Sequence, residues 1–147
     1  MYRRQPVPTG TLLMGAFYAS MGGVHLGITA ADPETYAPFA DAAVFTFVRE
    51  GWADVFMANP AFWGFCMFLG ETLIAVLLLV GGRPAKVGWV LVVAFQLLLM
   101  LFGFVVWFWT AFALAVVVPL MRHDWPLLTK APEDRRPLKL ADAGHRG

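Results

Sequence analysis

The chain has 147 residues, 59% of them hydrophobic and 14% charged, with a net charge of +1 and a mean hydropathy of +0.66. A soluble domain carries about 25% charged residues, so this chain lacks the charge to cover a water-facing globule. Its near-neutrality gives no basis for nucleic-acid binding. The single cysteine, Cys66, precludes an internal disulfide, and there is no Cys-x-x-Cys, no close histidine pair and no metal motif.

The first apolar stretch follows Arg3 and Arg4 and contains no charge before Asp32. It is as long as a full membrane span and longer than the apolar region of a signal peptide, so a span is expected near residues 9–30. Pro8 and Thr9 are start signals. Gly15, Ala19, Gly23 and Gly27 recur every fourth residue, a small-residue pattern that predicts close helix packing. Tyr18, Met21, Gly22, His25 and Thr29 form a second stripe on another face.

Residues 31–59 read as an outer loop. From 32 to 59 the acids Asp32, Glu34, Asp41, Glu50 and Asp54 stand against Arg49 alone, a net of −4. Val44, Val48, Trp52, Val55 and Phe56 recur at helical spacing, which predicts an amphipathic helix over about 40–57 with Val44, Val48 and Trp52 turned to the bundle or the headgroups.

Asn59-Pro60 opens the second span, near 60–81, whose sole charged residue is Glu71 at its middle. Gly81-Gly82 ends it, and Arg83 and Lys86 form a basic turn. Residues 87–121 then run uncharged for 35 positions. One helix of that length would measure about 52 Å against a hydrocarbon core of about 30 Å. A break at Gly103 gives spans near 85–102 and 105–121. The remaining 122–147 is a polar tail with Pro126, Pro132 and Pro137.

Four spans put ten of the 11 basic residues on one side, whereas three would send the basic tail outward. The positive-inside rule therefore selects four spans with both termini in the cytoplasm. The expected fold is an all-α bundle of four transmembrane helices, multi-pass in the cell inner (plasma) membrane.

Glu71 is the strongest single signal, because an ionisable group near mid-bilayer costs at least ~2.5 kcal/mol on insertion scales. It is expected to face the bundle interior and to hydrogen-bond to Gln96, at similar depth on the third span, or to the first span, with His25 on the outer side. Both Glu71 and Gln96 also read as plain interhelical glue. His25 is a candidate for contacting a quinone carbonyl, relaying protons, or ligating haem or chlorin, although a lone histidine is more often a satisfied buried residue. Bis-histidine haem ligation is not available, since His123 and His145 lie in the tail. Tyr18 completes this candidate polar site; no cofactor is demanded by the pattern.

The first span with Gly22-Gly23 and His25, then Glu71, Leu73 and Leu77-Leu78-Leu79 before Gly81-Gly82-Arg83 and an apolar third span, resembles the DoxX-like family of small four-helix membrane proteins. The resemblance covers about residues 10–121. It implies a four-helix bundle and a place in a membrane oxidoreductase system, since founding members accompany quinone-linked sulfur oxidation. Three functions follow as expectations: an accessory subunit of a membrane redox complex, partnered by other subunits or by its own copies; a quinone-binding protein using Glu71 and His25; and a small oligomeric transporter.

Overall fold

The computed structural model describes residues 6–129. Arg3, Arg4 and residues 130–147 of the expected tail lie outside the described residues. Helix α1 spans Thr9–Ala31, α2 Thr46–Gly51, α3 Pro60–Val80, α4 Gly82–Leu99 and α5 Phe104–Asp124, with no strand among the described residues. α1, α3, α4 with its 3-10 extension to Phe102, and α5 are each long and apolar enough to cross a membrane. The fold is the all-α four-span arrangement expected.

Local chemistry sets the helix ends. Asp32 leaves the helical region ahead of Pro33 and accepts a hydrogen bond from the Glu34 amide, closing α1 and starting a 3-10 helix over Pro33–Ala40. Asn59 caps α3 by accepting from the Phe62 amide, with Pro60 in the first helical position. Gly81 and Gly82 both adopt positive φ, so α3 and α4 meet in a turn that residues with a Cβ resist. Gly103, at φ +95°, makes the break between α4 and α5, where a Cβ would strike the Ala42 carbonyl. The Trp107 indole donates to the Met100 carbonyl across it.

The outer loop differs from the expected single helix over 40–57. It consists of the 3-10 helix, a short α2, and a π-helical turn over Trp52–Phe56. Val48 is buried and Trp52 half-buried, but Val44 points outward. Helical geometry begins only at Thr46, so Val44 does not share the face of Val48. The loop packs through Ala40, Ala43, Val48 and Trp52 against Leu101 and Phe102 at the end of α4. The Arg49 guanidinium donates to the Ala43 carbonyl and Thr46 hydroxyl, which holds the chain into α2.

The core is small: Tyr18, Ile74, Ala75, Leu78, Ala85, Trp89, Val92, Val117 and Leu128. Many large apolar side chains outside it, among them Leu13, Val80, Leu98 and Phe112, are exposed, as a lipid-facing surface requires. α1 packs most extensively on α3. α5 is peripheral, burying only Thr110, Val117 and Asp124, at intervals of seven.

Asp124 binds α5 to its neighbours. Its Oδ2 accepts from the Thr11 amide at 2.6 Å and the Thr11 hydroxyl at 2.9 Å, and the Trp89 indole of α4 donates to that hydroxyl at 3.1 Å. Its Oδ1 is paired with the exposed His123 ring at 2.8 Å. α5 thus runs past the expected end at 121, and Leu128, also assigned to the tail by sequence, is buried in the core. The Lys86 ammonium lies over the Trp125 ring and donates to Thr129, fastening this return.

Two outcomes test this architecture. Asp124→Leu leaves the Thr11 amide without its acceptor and is expected to cost about 2–3 kcal/mol, with Asp124→Asn costing less; thermal unfolding in detergent measures both, and equal stability of Asp124→Leu and wild type would refute the role given to Asp124. With Cys66 replaced by alanine, a membrane-impermeant maleimide is expected to label an Asp41→Cys variant on intact cells and an Arg83→Cys variant only after permeabilisation. The reverse pattern would invert the topology.

Candidate functional site

α1 presents its interior face through Thr11, Gly15, Tyr18, Gly22 and His25, residues three or four apart. Gly22 lies over Thr72 and Glu71 of α3, so close that a Cβ would sit 3.2 Å from the Thr72 hydroxyl. This approach brings His25 beside Glu71. The predicted packing stripe is corrected here: Gly15 meets Leu78 and Leu79, but Ala19 is exposed and Gly23 and Gly27 have nothing of this chain within 4 Å of a would-be Cβ.

His25, Tyr18, Glu71 and Gln96 all line one cavity of about 480 Å³ at the loop end of the bundle. That volume falls in the range of small-molecule sites, roughly 300–1,000 Å³. Tyr18, Glu71 and Gln96 are 1%, 3% and 4% exposed. Glu71 and Gln96 do not hydrogen-bond to each other, contrary to one of the two pairings expected. The Gln96 amide instead donates to the Tyr18 hydroxyl at 3.5 Å, at the limit of a hydrogen bond. Glu71 Oε1 stands 3.7 Å from His25 Nε2, an ion-pair distance rather than a hydrogen bond. Glu71 Oε2 and Gln96 Oε1 are buried and have no partner in the protein.

The loop supplies what sequence reasoning missed. The Tyr36 hydroxyl lies 2.8 Å from His25 Nδ1 and 3.4 Å from the His25 carbonyl, and the two rings stack at 5.7 Å. Burial pushes the Tyr36 phenol above its usual range, so it stays protonated and available as a donor at neutral pH. The Trp52 indole donates to the Tyr36 carbonyl at 2.9 Å and stacks on Phe56 at 3.8 Å. Phe39 packs against Trp52 and Phe102. Together these rings roof the cavity. No periodicity announces Tyr36, because its contact with His25 crosses the turn at Asp32-Pro33; that turn, which folds the chain back over the end of α1, was the available signal.

The walls are apolar and aromatic, with Phe17, Phe95 and Trp109 among them. Phe17 and Val24 of α1 and Val105 and Trp109 of α5 both line the cavity and are exposed, so it opens between α1 and α5 toward the lipid-facing surface. Chemically the site offers a carboxyl, an imidazole, two phenols and an amide. Among the described residues no group of three His, Cys, Asp or Glu side chains is placed to hold a metal ion.

The alignment of Tyr36 depends on Gly64, where a Cβ would collide with the Thr29 hydroxyl and come within 2.9 Å of the Tyr36 ring. Gly64→Ala is therefore expected to cost about 1–3 kcal/mol by overpacking. Gly23→Ala, in open space, is expected to be neutral or to stabilise by up to about 1 kcal/mol through helix propensity. Unfolding of both variants in one detergent gives the comparison, and equal losses would contradict the packing described. No protein-family model matches the chain, and neither a curated protein nor a solved structure shows significant similarity to it.

Proposed function

We propose that this chain is a DoxX-like protein of the inner (plasma) membrane, with both termini cytoplasmic, that binds a lipid-soluble quinone-class ring in the loop-end cavity and serves a membrane redox assembly as an accessory subunit. The observation that carries the reading is the pair of buried oxygens, Glu71 Oε2 and Gln96 Oε1, without partners in an otherwise apolar, aromatic-lined space. Buried polar atoms in a native protein are nearly always hydrogen-bonded. Two unpaired ones beside a cavity open to lipid fit a ligand that brings polar atoms on a flat apolar body.

A quinone-class ring has that form: a plate that packs against Phe95, Tyr18 or Trp109, oxygens at its edges, and an apolar tail that leaves between α1 and α5. Haem or chlorin ligation needs a histidine nitrogen free to face a metal. His25 Nδ1 is taken by Tyr36 and Nε2 faces Glu71. The purely structural reading of Glu71 fits less well, since polar glue would use both carboxyl oxygens.

A photoreactive, short-tailed benzoquinone added to the protein in nanodiscs is expected to cross-link within α1, the 33–56 loop or the first turns of α5. Its binding is expected to weaken about tenfold in His25→Ala, equivalent to about 1.4 kcal/mol, and measurably in Glu71→Gln. Cross-links spread evenly over the lipid face, or unchanged binding in both variants, would remove this reading.

A further inference from the structure

The unpaired atoms also distinguish between the two redox forms of such a ring. Gln96 directs its amide nitrogen at Tyr18 and leaves Oε1, which can only accept a hydrogen bond. Glu71 leaves Oε2. That oxygen accepts when the carboxyl is ionised, and it can accept or donate when the carboxyl is neutral. A quinone carbonyl is only an acceptor. It cannot satisfy Gln96 Oε1 at all, and it satisfies Glu71 only when that group is neutral and its proton lies on Oε2. A hydroxyl both donates and accepts, so of the two on a reduced ring one can satisfy Gln96 Oε1 and the other Glu71 Oε2, in either state of the carboxyl. The Tyr18 hydroxyl, which accepts from Gln96, keeps its own proton to donate.

We infer that the cavity recognises the reduced, dihydroxy form of its ring, a quinol, in preference to the oxidised quinone, with Gln96 Oε1 and Glu71 Oε2 as the acceptors of its hydroxyl protons. This rests on the quinone-class reading above and adds the redox state of the ligand. The size of the preference follows from the asymmetry of buried hydrogen bonds: a site built to bond a hydroxyl rejects the analogue that lacks it, because the site's own polar groups are then left unpaired. Binding of quinone would leave Gln96 Oε1 without a partner while excluding any water that could reach it.

The test is calorimetric titration of the full-length protein in nanodiscs with three ligands sharing one short tail: a benzoquinol kept reduced under anaerobic conditions, its benzoquinone, and the quinol dimethyl ether. The expected result is a quinol bound at least tenfold more tightly than the quinone, and an ether that binds no better than the quinone. Gln96→Leu is expected to bring quinol and quinone within about threefold of each other by weakening the quinol. The ether comparison uses the wild-type protein, so it stands even where Gln96→Leu fails to fold. Quinone bound as tightly as quinol, or ether bound as tightly as quinol, overturns the inference and leaves the quinone-class reading in place. Failure of all three ligands to bind overturns both.

Discussion

The carboxylate of Asp124, buried against the first turn of α1, is the contact on which the arrangement of the helices depends. The opening amides of a helix have no partners within it and carry partial positive charge. Thr11 is fully buried, so no water reaches its amide. Asp124 answers that demand from another helix, and Trp89 joins the third. Gly10 permits it, since a Cβ there would lie 2.7 Å from the carboxylate oxygen. Apolar packing alone gives helices little preference for one another over lipid. α5, with few buried side chains, therefore needs such a polar tie more than the other helices do. The cavity lies at the other end, beside the Gly103 turn that joins α4 to α5.

The rigid side of the cavity is the α1–α3 pair. Gly15 and Gly22 let the two backbones approach until Tyr18, His25 and Glu71 share one face. Gly88 does the same for α4 against the fully buried Leu78. The opposite side is built from the end of α4, the start of α5 and the aromatic roof. Site and portal thus share α1: its Tyr18 and His25 carry polar groups, while its exposed Phe17 and Val24 line the cavity together with Val105 and Trp109 of the peripheral helix.

The spans were legible because their signals are local. Length and hydropathy mark the helices, and Asp32-Pro33, Asn59-Pro60, Gly81-Gly82 and Gly103 mark their ends. The gathering of Tyr18, His25, Glu71 and Gln96 was also legible, because polar residues in apolar helices must turn away from lipid. The phase of the glycine stripe was not. Residues four apart advance about 400° at 3.6 residues per turn, so each step drifts about 40°, and Gly27 lies about 120° around the helix from Gly15. Steps that alternate three and four, as in Gly15, Tyr18, Gly22, His25 and Thr29, stay on one face. Asp124 escaped detection for a different reason. A single acid among Arg122, His123 and prolines reads as tail, and its partner lies 113 residues earlier. Tyr36 and Trp52 were hidden likewise, since irregular loop helices carry no period that points at a neighbour.

The separation of Glu71 from Gln96 bears most directly on purpose. Two buried polar side chains lining the same cavity of a bundle have every energetic reason to pair, because each unsatisfied group costs about 1–3 kcal/mol. Here the surroundings hold them to other tasks: Gln96 reaches to Tyr18, and Glu71 leans toward His25, itself fixed by Tyr36 through a roof that Gly64 makes room for. Each keeps one oxygen without a partner in the protein, and both residues line the same cavity. A bundle selected only for stability would have closed that gap with a single hydrogen bond. Hydrogen-bonding capacity left unused inside an apolar wall is stable to the extent that a third molecule completes it.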